Sequence, residues 1–171
     1  MLYSTFHEER LLSLIIFTQK YQKGTPDEQT EIYRIYLNHT RHINNWDLVD
    51  TSAEHIVGAY LRKRSRKPLY DLALSKDLWE RRISIMSTFH FIKNDEFDEA
   101  LKIAGMLIAD TEDLIHKAVG WMLREVGKRD RNAEELFLRK HYQCMPRTML
   151  RYAIEKFPED LRQQYLRGTI K

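Results

Sequence analysis

A large ring and a carboxylate share one face of a predicted helix in the stretch from His42 to Ser52. Asn45 is a residue type that caps helix starts, and Trp46 follows it directly. If a helix begins there, Trp46 and Asp50 stand at positions i and i+4 and point to the same side. A buried carboxylate without partners is costly, so an ordinary core helix has little use for this pairing. The pattern therefore indicates a functional site.

Arginines accompany aromatic residues farther along the chain, again near predicted helix starts. Trp121 and Arg124 stand at i and i+3 and therefore share a helix face. Arginines spaced along a groove can contact successive phosphates, and tryptophans can lie against sugars or bases. The pattern indicates a strip that binds nucleic acid, made of Trp46, Asp50, Arg81, Arg82, Trp121, Arg124, Arg147 and Arg151.

The carboxylate of Asp50 needs a reason to stand in such a strip, because it repels phosphate. Stabilising a developing cation is such a reason. Breaking an N-glycosidic bond builds positive charge on the sugar, and a nearby carboxylate can offset that charge or orient the attacking water. Asp50 is therefore the candidate catalytic residue of the strip.

Helical periodicity extends along almost the whole chain, and no segment alternates for long enough to require a strand. The helices come in pairs whose first members start near His7, Trp46, Asp77, Thr111 and Pro146. A spacing of roughly 35 residues is typical of solenoids built from helical hairpins. We therefore predict an all-α fold, an α-α superhelix of HEAT-like repeats, with residues 1–171 forming one domain and the strip lying on one concave face.

Three helix boundaries are predicted in detail. The first helix runs from His7 to Lys23, where a Gly-Thr-Pro sequence stops it. The helix that begins at Asn45 is expected to continue without a break through Leu61. A long helix that carries Trp121 is expected to be capped by Thr111.

Composition narrows the other function classes. The 171 residues carry a net charge of +3 and one cysteine, Cys144, which favours a reducing, cytoplasmic location over a disulfide framework. No apolar run approaches the roughly 20 residues that span a bilayer. His39 and His42 are spaced i, i+3, but no ligand pattern completes a metal site. We expect a monomer that needs no metal, cofactor or membrane.

Four stretches resemble the AlkD family of bacterial DNA glycosylases. They are residues 44–50 (NNWDLVD), 79–82 (WERR), 115–125 (IHKAVGWMLRE) and 145–158 (MPRTMLRYAIEKFP). The resemblance implies HEAT-like repeats and excision of N3- and N7-alkylated purines from duplex DNA in base excision repair. It also implies additional N-terminal helices, which this chain is expected to lack.

The resemblance also implies roles for individual residues. Asp50 is similar to the family's catalytic carboxylate, and Trp46 and Trp121 are similar to the aromatic residues that flank the lesion nucleotide. Arg82 and Arg124 are similar to its phosphate contacts. The family is thought to stack on the sugar–phosphate instead of flipping the base into a deep pocket.

Several alternatives stay open at this point. Asp50 can instead serve only as an ion-pair partner of Arg82 or as a cap of a neighbouring helix, and Trp46 and Trp121 can be core residues. The basic tract Arg62–Lys67 is usually a solvated loop. A HEAT-like scaffold that binds DNA or protein without catalysis is the alternative function, and it should tolerate the loss of Asp50.

Overall fold

The structure is a computed structural model that describes residues 1–170, and the regular elements of that range are all helical. The α-helices are α1 (His7–Lys23), α2 (Pro26–Asn38), α3 (Trp46–Asp50), α4 (Ala59–Leu61), α5 (Lys67–Ala73), α6 (Leu78–Ser87), α7 (Phe89–Ile92), α8 (Asp98–Met106), α9 (Asp113–Gly127), α10 (Arg131–His141), α11 (Arg147–Ala153) and α12 (Glu159–Arg167). Short 3₁₀ segments cover Thr40–His42 and Ile154–Lys156, and a π-helical segment covers Glu54–Gly58. The predicted all-α helical-repeat class is confirmed.

The chain divides into two compact units, which we call unit 1 (Met1–Phe91) and unit 2 (from Ile92 onward). In unit 1, α1 packs on α2, and α6 packs on both α3 and α5. In unit 2, α9 lies at the centre and packs on α8, α10 and α11. Each unit has its own apolar core, with Leu48 and Ile83 fully buried in unit 1 and Val119 and Met149 in unit 2. The single domain over 1–171 stays a prediction.

Each unit contains one close helix crossing of the same kind. A Cβ placed on Gly58 would lie 2.2 Å from the carbonyl oxygen of Ser87, and a Cβ on Gly120 would lie 2.4 Å from that of Met149. The sequence separation is 29 residues in both cases (58 to 87 and 120 to 149). Because only glycine permits so close an approach, each unit brings two successive repeat helices into backbone contact at the same register.

The helix boundaries bear out part of the sequence analysis. Helix α1 has the predicted bounds, and the side chain of Asn45 accepts a hydrogen bond from the amide of Trp46 as a cap. The prediction of one continuous helix through Leu61 was wrong. Helix α3 ends at Asp50, a turn follows, and the chain then forms the π-helical segment Glu54–Gly58. The cap at Thr111 was also wrong, since Glu112 occupies the N-cap position of α9.

Within residues 1–170, no helix is both long enough and apolar enough to cross a membrane.

Candidate functional site

The indole of Trp46 stands in solvent at the first residue of α3. Asn45 is extended and its side-chain oxygen accepts from the Trp46 amide at 2.8 Å, which fixes where the helix begins. Trp46 is 54% exposed, although tryptophan is highly buried on average. A ring held this open on a short, capped helix is available to a ligand.

The carboxylate of Asp50, one helical turn beyond Trp46, is held by Arg82 of α6. Arg82 donates from Nε to Oδ1 at 2.9 Å and from a terminal nitrogen to Oδ2 at 2.8 Å. The pair is largely enclosed, with side-chain exposures of 14% for Asp50 and 6% for Arg82. Such two-point contacts fix orientation as well as charge. The ion pair that the sequence left open as an alternative is therefore present.

Burial and the arginine act in opposite directions on Asp50. Removal from water raises the pKa of the Asp50 carboxyl above its ordinary value, while the hydrogen bonds and charge of Arg82 offset part of that rise. The negative charge of Asp47 adds a smaller increase. Arg82 thus stabilises the ionised carboxylate in a place where burial alone would favour its neutral form.

The turn after Asp50 is fixed by a buried hydroxyl pair. Ser52 donates from Oγ to the carbonyl of Leu48 at 2.5 Å, and its Oγ lies 3.0 Å from the hydroxyl of Tyr36 on α2. Both side chains are fully buried. This contact ends α3 and anchors it to α2, so it sets the position from which Asp50 reaches Arg82. The sequence analysis missed it, because neither residue type nor spacing marks two distant hydroxyls as partners.

The start of α3 is also tied to α1. Asp47 accepts from its neighbouring amide, that of Leu48, as expected for a residue that serves the helix start. Its other oxygen lies 2.7 Å from Nε2 of His7, a contact that the sequence analysis missed. Arg10 donates to the side chain of Asn44 at 3.3 Å. These contacts position Trp46 through the backbone that carries it.

Trp121 in unit 2 is held more firmly than Trp46. It is half-buried, and its indole N–H donates to Oε1 of Glu125 at 3.2 Å, one turn along α9. Glu125 also accepts from Lys128 and Arg129. These contacts lower the pKa of Glu125 against the effect of its burial, so the carboxylate that holds the indole is ionised.

The predicted arginines of unit 2 differ in how much they are engaged. Arg124 forms an ion pair with Glu155, and Arg147 donates to the carbonyl of Leu166 at 2.6 Å. Arg151 is exposed on α11, and within residues 1–170 it has no hydrogen bond or ion pair. Arg151 is therefore the least engaged of the three within the described residues.

The basic tract Arg62–Lys67 is largely organised by its own neighbours. The guanidinium of Arg64 lies 3.9 Å from the ring centre of Tyr60, and that of Arg66 lies 4.5 Å from that of Phe91. Lys67 pairs with Asp71 at 2.8 Å. The tract is therefore irregular up to Arg66, where these contacts order it, and Lys67 begins α5.

The histidines and the cysteine form no metal centre in the part of the chain that the structure describes, where no group of three His, Cys, Asp or Glu is placed to hold an ion. Cys144 is an exposed free thiol that contacts the carbonyl of His141.

Unit 1 thus places Asp50 in contact with Arg82 and Trp46 one helical turn before Asp50 on α3. Their convergence with Trp121 of unit 2, and every catalytic or DNA-binding role, stays a prediction. What the geometry defines is an all-helical repeat protein with an exposed indole beside an arginine-held carboxylate.

Comparison of the sequence with models of protein families shows which family the chain belongs to. The model of a family described as DNA alkylation repair enzyme matches residues 1–157, so the chain belongs to that family. A comparison with curated proteins found no match. Family membership agrees with the resemblance carried by the W-D-x-V-D stretch and supports a role in DNA alkylation repair, with DNA as the partner.

Proposed function

We propose that this protein is a DNA N-glycosylase that hydrolyses the N-glycosidic bond of N3- or N7-alkylated purines in duplex DNA. One observation carries the proposal: the carboxylate of Asp50 is fixed by Arg82 one helical turn from the exposed ring of Trp46. Membership of the DNA alkylation repair enzyme family supports it.

The chemistry suits a site with few functional groups. A purine alkylated at N3 or N7 is already a cationic leaving group, so the protein need not protonate it. As the base departs, positive charge develops at C1′ of the sugar, and a preorganised carboxylate stabilises that charge without further reorganisation. The role of Asp50 is electrostatic stabilisation of C1′ and orientation of water, while Trp46 lies against the sugar of the damaged nucleotide.

Arg82 is best assigned as the positioning residue of this carboxylate. Its donors hold both oxygens of Asp50, and its side chain is only 6% exposed. The remaining edges of the carboxylate keep the 14% exposure through which it would act on a bound sugar. That the same guanidinium also contacts a phosphate stays a prediction. In that case Arg82 would bind the substrate and orient Asp50 at the same time.

The decisive experiment is base release from methylated duplex DNA by the wild type and by Asp50→Asn. The amide keeps the size of the side chain and an acceptor for Arg82 but removes the charge. Loss of one preorganised electrostatic group costs about 10² to 10³ in rate, so single-turnover excision should fall by that factor. DNA affinity should hold steady or rise, because a charge that repels phosphate is removed.

Asp71→Asn is the matched control, because it removes an exposed carboxylate of the same unit. It should excise at the wild-type rate. Circular dichroism would establish that both variants are folded. Wild-type excision by Asp50→Asn would refute the catalytic role, and DNA binding without any base release by the wild type would favour the non-catalytic scaffold.

Arg151 offers a second test of the DNA interface. Its exposed guanidinium should contact one phosphate, so Arg151→Gln should weaken DNA binding without sequence dependence. Titrations at several salt concentrations should show a salt slope smaller by about one unit. Arg147→Gln is the comparison, since Arg147 already donates to a backbone carbonyl. An unchanged slope for Arg151→Gln would remove this arginine from the interface.

A further inference from the structure

The outward face of α1 has an apolar centre and opposite charges at its two ends. Leu12 and Ile15 are 47% and 40% exposed, which is high for large apolar side chains in the middle of a helix. Exposed carboxylates occupy the first turn and exposed amines the last turn, namely Glu8, Glu9, Lys20 and Lys23. A polar helix face would serve better in contact with water, so this face has the character of an interface.

The exposed residues form one stripe along α1 that is acidic at its start, apolar in the middle and basic at its end. Two such stripes are complementary when they run antiparallel. Glu8, Leu12, Ile15, Gln19 and Lys23 follow each other at helical spacing and are all exposed. The helix spans His7–Lys23, so Ile15 stands at its midpoint. In an antiparallel pair of such helices, the acidic end of each meets the basic end of the other and the two Ile15 side chains meet at the centre.

We propose that this face binds α1 of a second copy of the chain, forming a two-fold symmetric dimer through antiparallel α1 helices. A two-fold interface requires the same patch on both copies to be self-complementary. The apolar centre supplies the burial, and the four charge contacts at the ends fix the antiparallel direction. This proposal replaces the expectation of a monomer and is independent of the proposed catalytic activity.

A neighbouring groove extends the same surface. A cavity of about 570 Å³ lies between α1 and α2, beside the C-terminal half of α1. Ile16 and Ile32 give it an apolar lining, and Lys23 stands at its edge. In the antiparallel pair, the partner's N-terminal half lies over this groove, so it can accept apolar side chains that α1 presents near its start.

The two carboxylates that line the groove are occupied within the chain. Glu28 accepts from the amide and hydroxyl of Thr25 in a capping box, and these hydrogen bonds lower its pKa. Glu31 pairs with Arg34 at 3.3 Å. Glu28 stays ionised, and the charge of Lys20 contributes to that. Lys23, which has no ion pair among residues 1–170, is therefore the groove charge that an incoming acidic helix end would meet.

The first test is the mass of the protein in solution as a function of concentration. Sedimentation from about 1 µM to about 1 mM, which brackets weak to moderate affinities, should show a shift towards twice the 20.6 kDa chain mass. Ile15→Lys places two like charges at the centre and should raise the dissociation constant at least about tenfold. Lys76→Glu, an exposed charge reversal outside α1, should leave dimerisation unchanged.

Charge exchange tests the direction of the pair. The double variant Glu8→Lys/Glu9→Lys has two basic ends, and Lys20→Glu/Lys23→Glu has two acidic ends, so each alone should be monomeric. Mixed together they should form a heterodimer, because every end then meets its opposite charge. A wild type that stays monomeric throughout, a dimer that Ile15→Lys does not weaken, or a mixture that fails to associate would each overturn the proposal.

Discussion

Units 1 and 2 cross their repeat helices in the same way but place their ion pairs differently. Gly58 and Gly120 meet the backbone of the following helix at the same separation of 29 residues, 58 to 87 and 120 to 149. In unit 1, α3 supplies the carboxylate of a largely buried ion pair, Asp50 with Arg82. In unit 2, α9 supplies the arginine of a more exposed ion pair, Arg124 with Glu155. A common crossing therefore supports two different charge arrangements.

The helix that carries the pair also differs. Helix α9 runs unbroken over Asp113–Gly127, whereas its counterpart in unit 1 stops at Asp50 and resumes as the π-helical Glu54–Gly58. The break is fixed by the contact between Ser52 and Tyr36. Irregular helix at a predicted catalytic residue agrees with the frequent occurrence of π segments at functional sites. Unit 1 thus departs from regular geometry where the proposed chemistry takes place.

The largest expected difference between the units is the cost of removing an arginine. Arg82→Met keeps the aliphatic stem but leaves the enclosed Asp50 carboxylate without its main partner, so the free energy of unfolding should fall by about 3 to 5 kcal/mol. Arg124→Met removes a pair whose glutamate is 45% exposed, so the loss should be about 1 kcal/mol or less. Urea unfolding of both variants measures the difference.

The double variant Arg82→Met/Asp50→Asn serves as the control for this comparison. It removes the unpaired charge, so it should recover part of the lost stability. Equal losses for Arg82→Met and Arg124→Met would mean that the two ion pairs are energetically alike, and the contrast between the units would then be only geometric.

The sequence predicted those features that depend on local chemistry. The cap at Asn45 and the bounds of α1 follow from residue types next to each other in the chain. The helix break after Asp50 does not, because it depends on the contact of Ser52 with Tyr36 on α2, which neither residue type nor spacing marks. The spacing of Trp46 and Asp50 predicts that they share a helix face. Whether Asp50 also pairs with Arg82 depends on where α6 packs against α3, which the spacing does not give.

The two units also differ in how their largely buried acids, Asp50 in unit 1 and Glu134 in unit 2, should affect the pH dependence of stability. Glu134 is 2% exposed, lies against the backbone of Gly127, and has one carboxyl oxygen without a hydrogen-bond partner among residues 1–170. Burial raises its pKa to about 8, with the charges of Arg131 and Arg124 opposing the rise and Glu135 adding to it. Unlike Asp50, this carboxyl has no guanidinium that holds both oxygens.

Because Glu134 holds its proton more tightly when folded, the free energy of unfolding should fall as pH rises from its ordinary pKa to about 8. Below that window Glu134 is protonated in both the folded and the unfolded state. Above it the folded state bears the full cost of burying the ionised carboxylate. Each pH unit of the window contributes at most about 1.4 kcal/mol. Glu134→Gln should therefore gain about 2 to 4 kcal/mol over the wild type between pH 5 and pH 9.

Denaturant unfolding at the two pH values measures this gain, with Asp160→Asn as the control, since Asp160 is an exposed acid of the same unit. Parallel pH profiles for Glu134→Gln and the wild type would show that the carboxyl titrates normally.

The smallest effect on stability, and the sharpest separation of function from folding, is expected at Trp46. Its ring is 54% exposed, so Trp46→Ala should change the free energy of unfolding by about 0.5 kcal/mol or less. Stacking of an aromatic ring on a nucleotide is worth about 1 to 3 kcal/mol, so binding of alkylated DNA or its excision should fall about fivefold to 150-fold. Trp121→Phe should behave oppositely, losing about 1 kcal/mol of stability with the indole bond to Glu125 while keeping an aromatic face. Thermal unfolding and single-turnover excision, measured on the same preparations, separate the two outcomes. If Trp46→Ala destabilised the fold while excision per folded molecule held, the exposed indole would be a structural residue, and unit 1 would be distinguished only by its carboxylate.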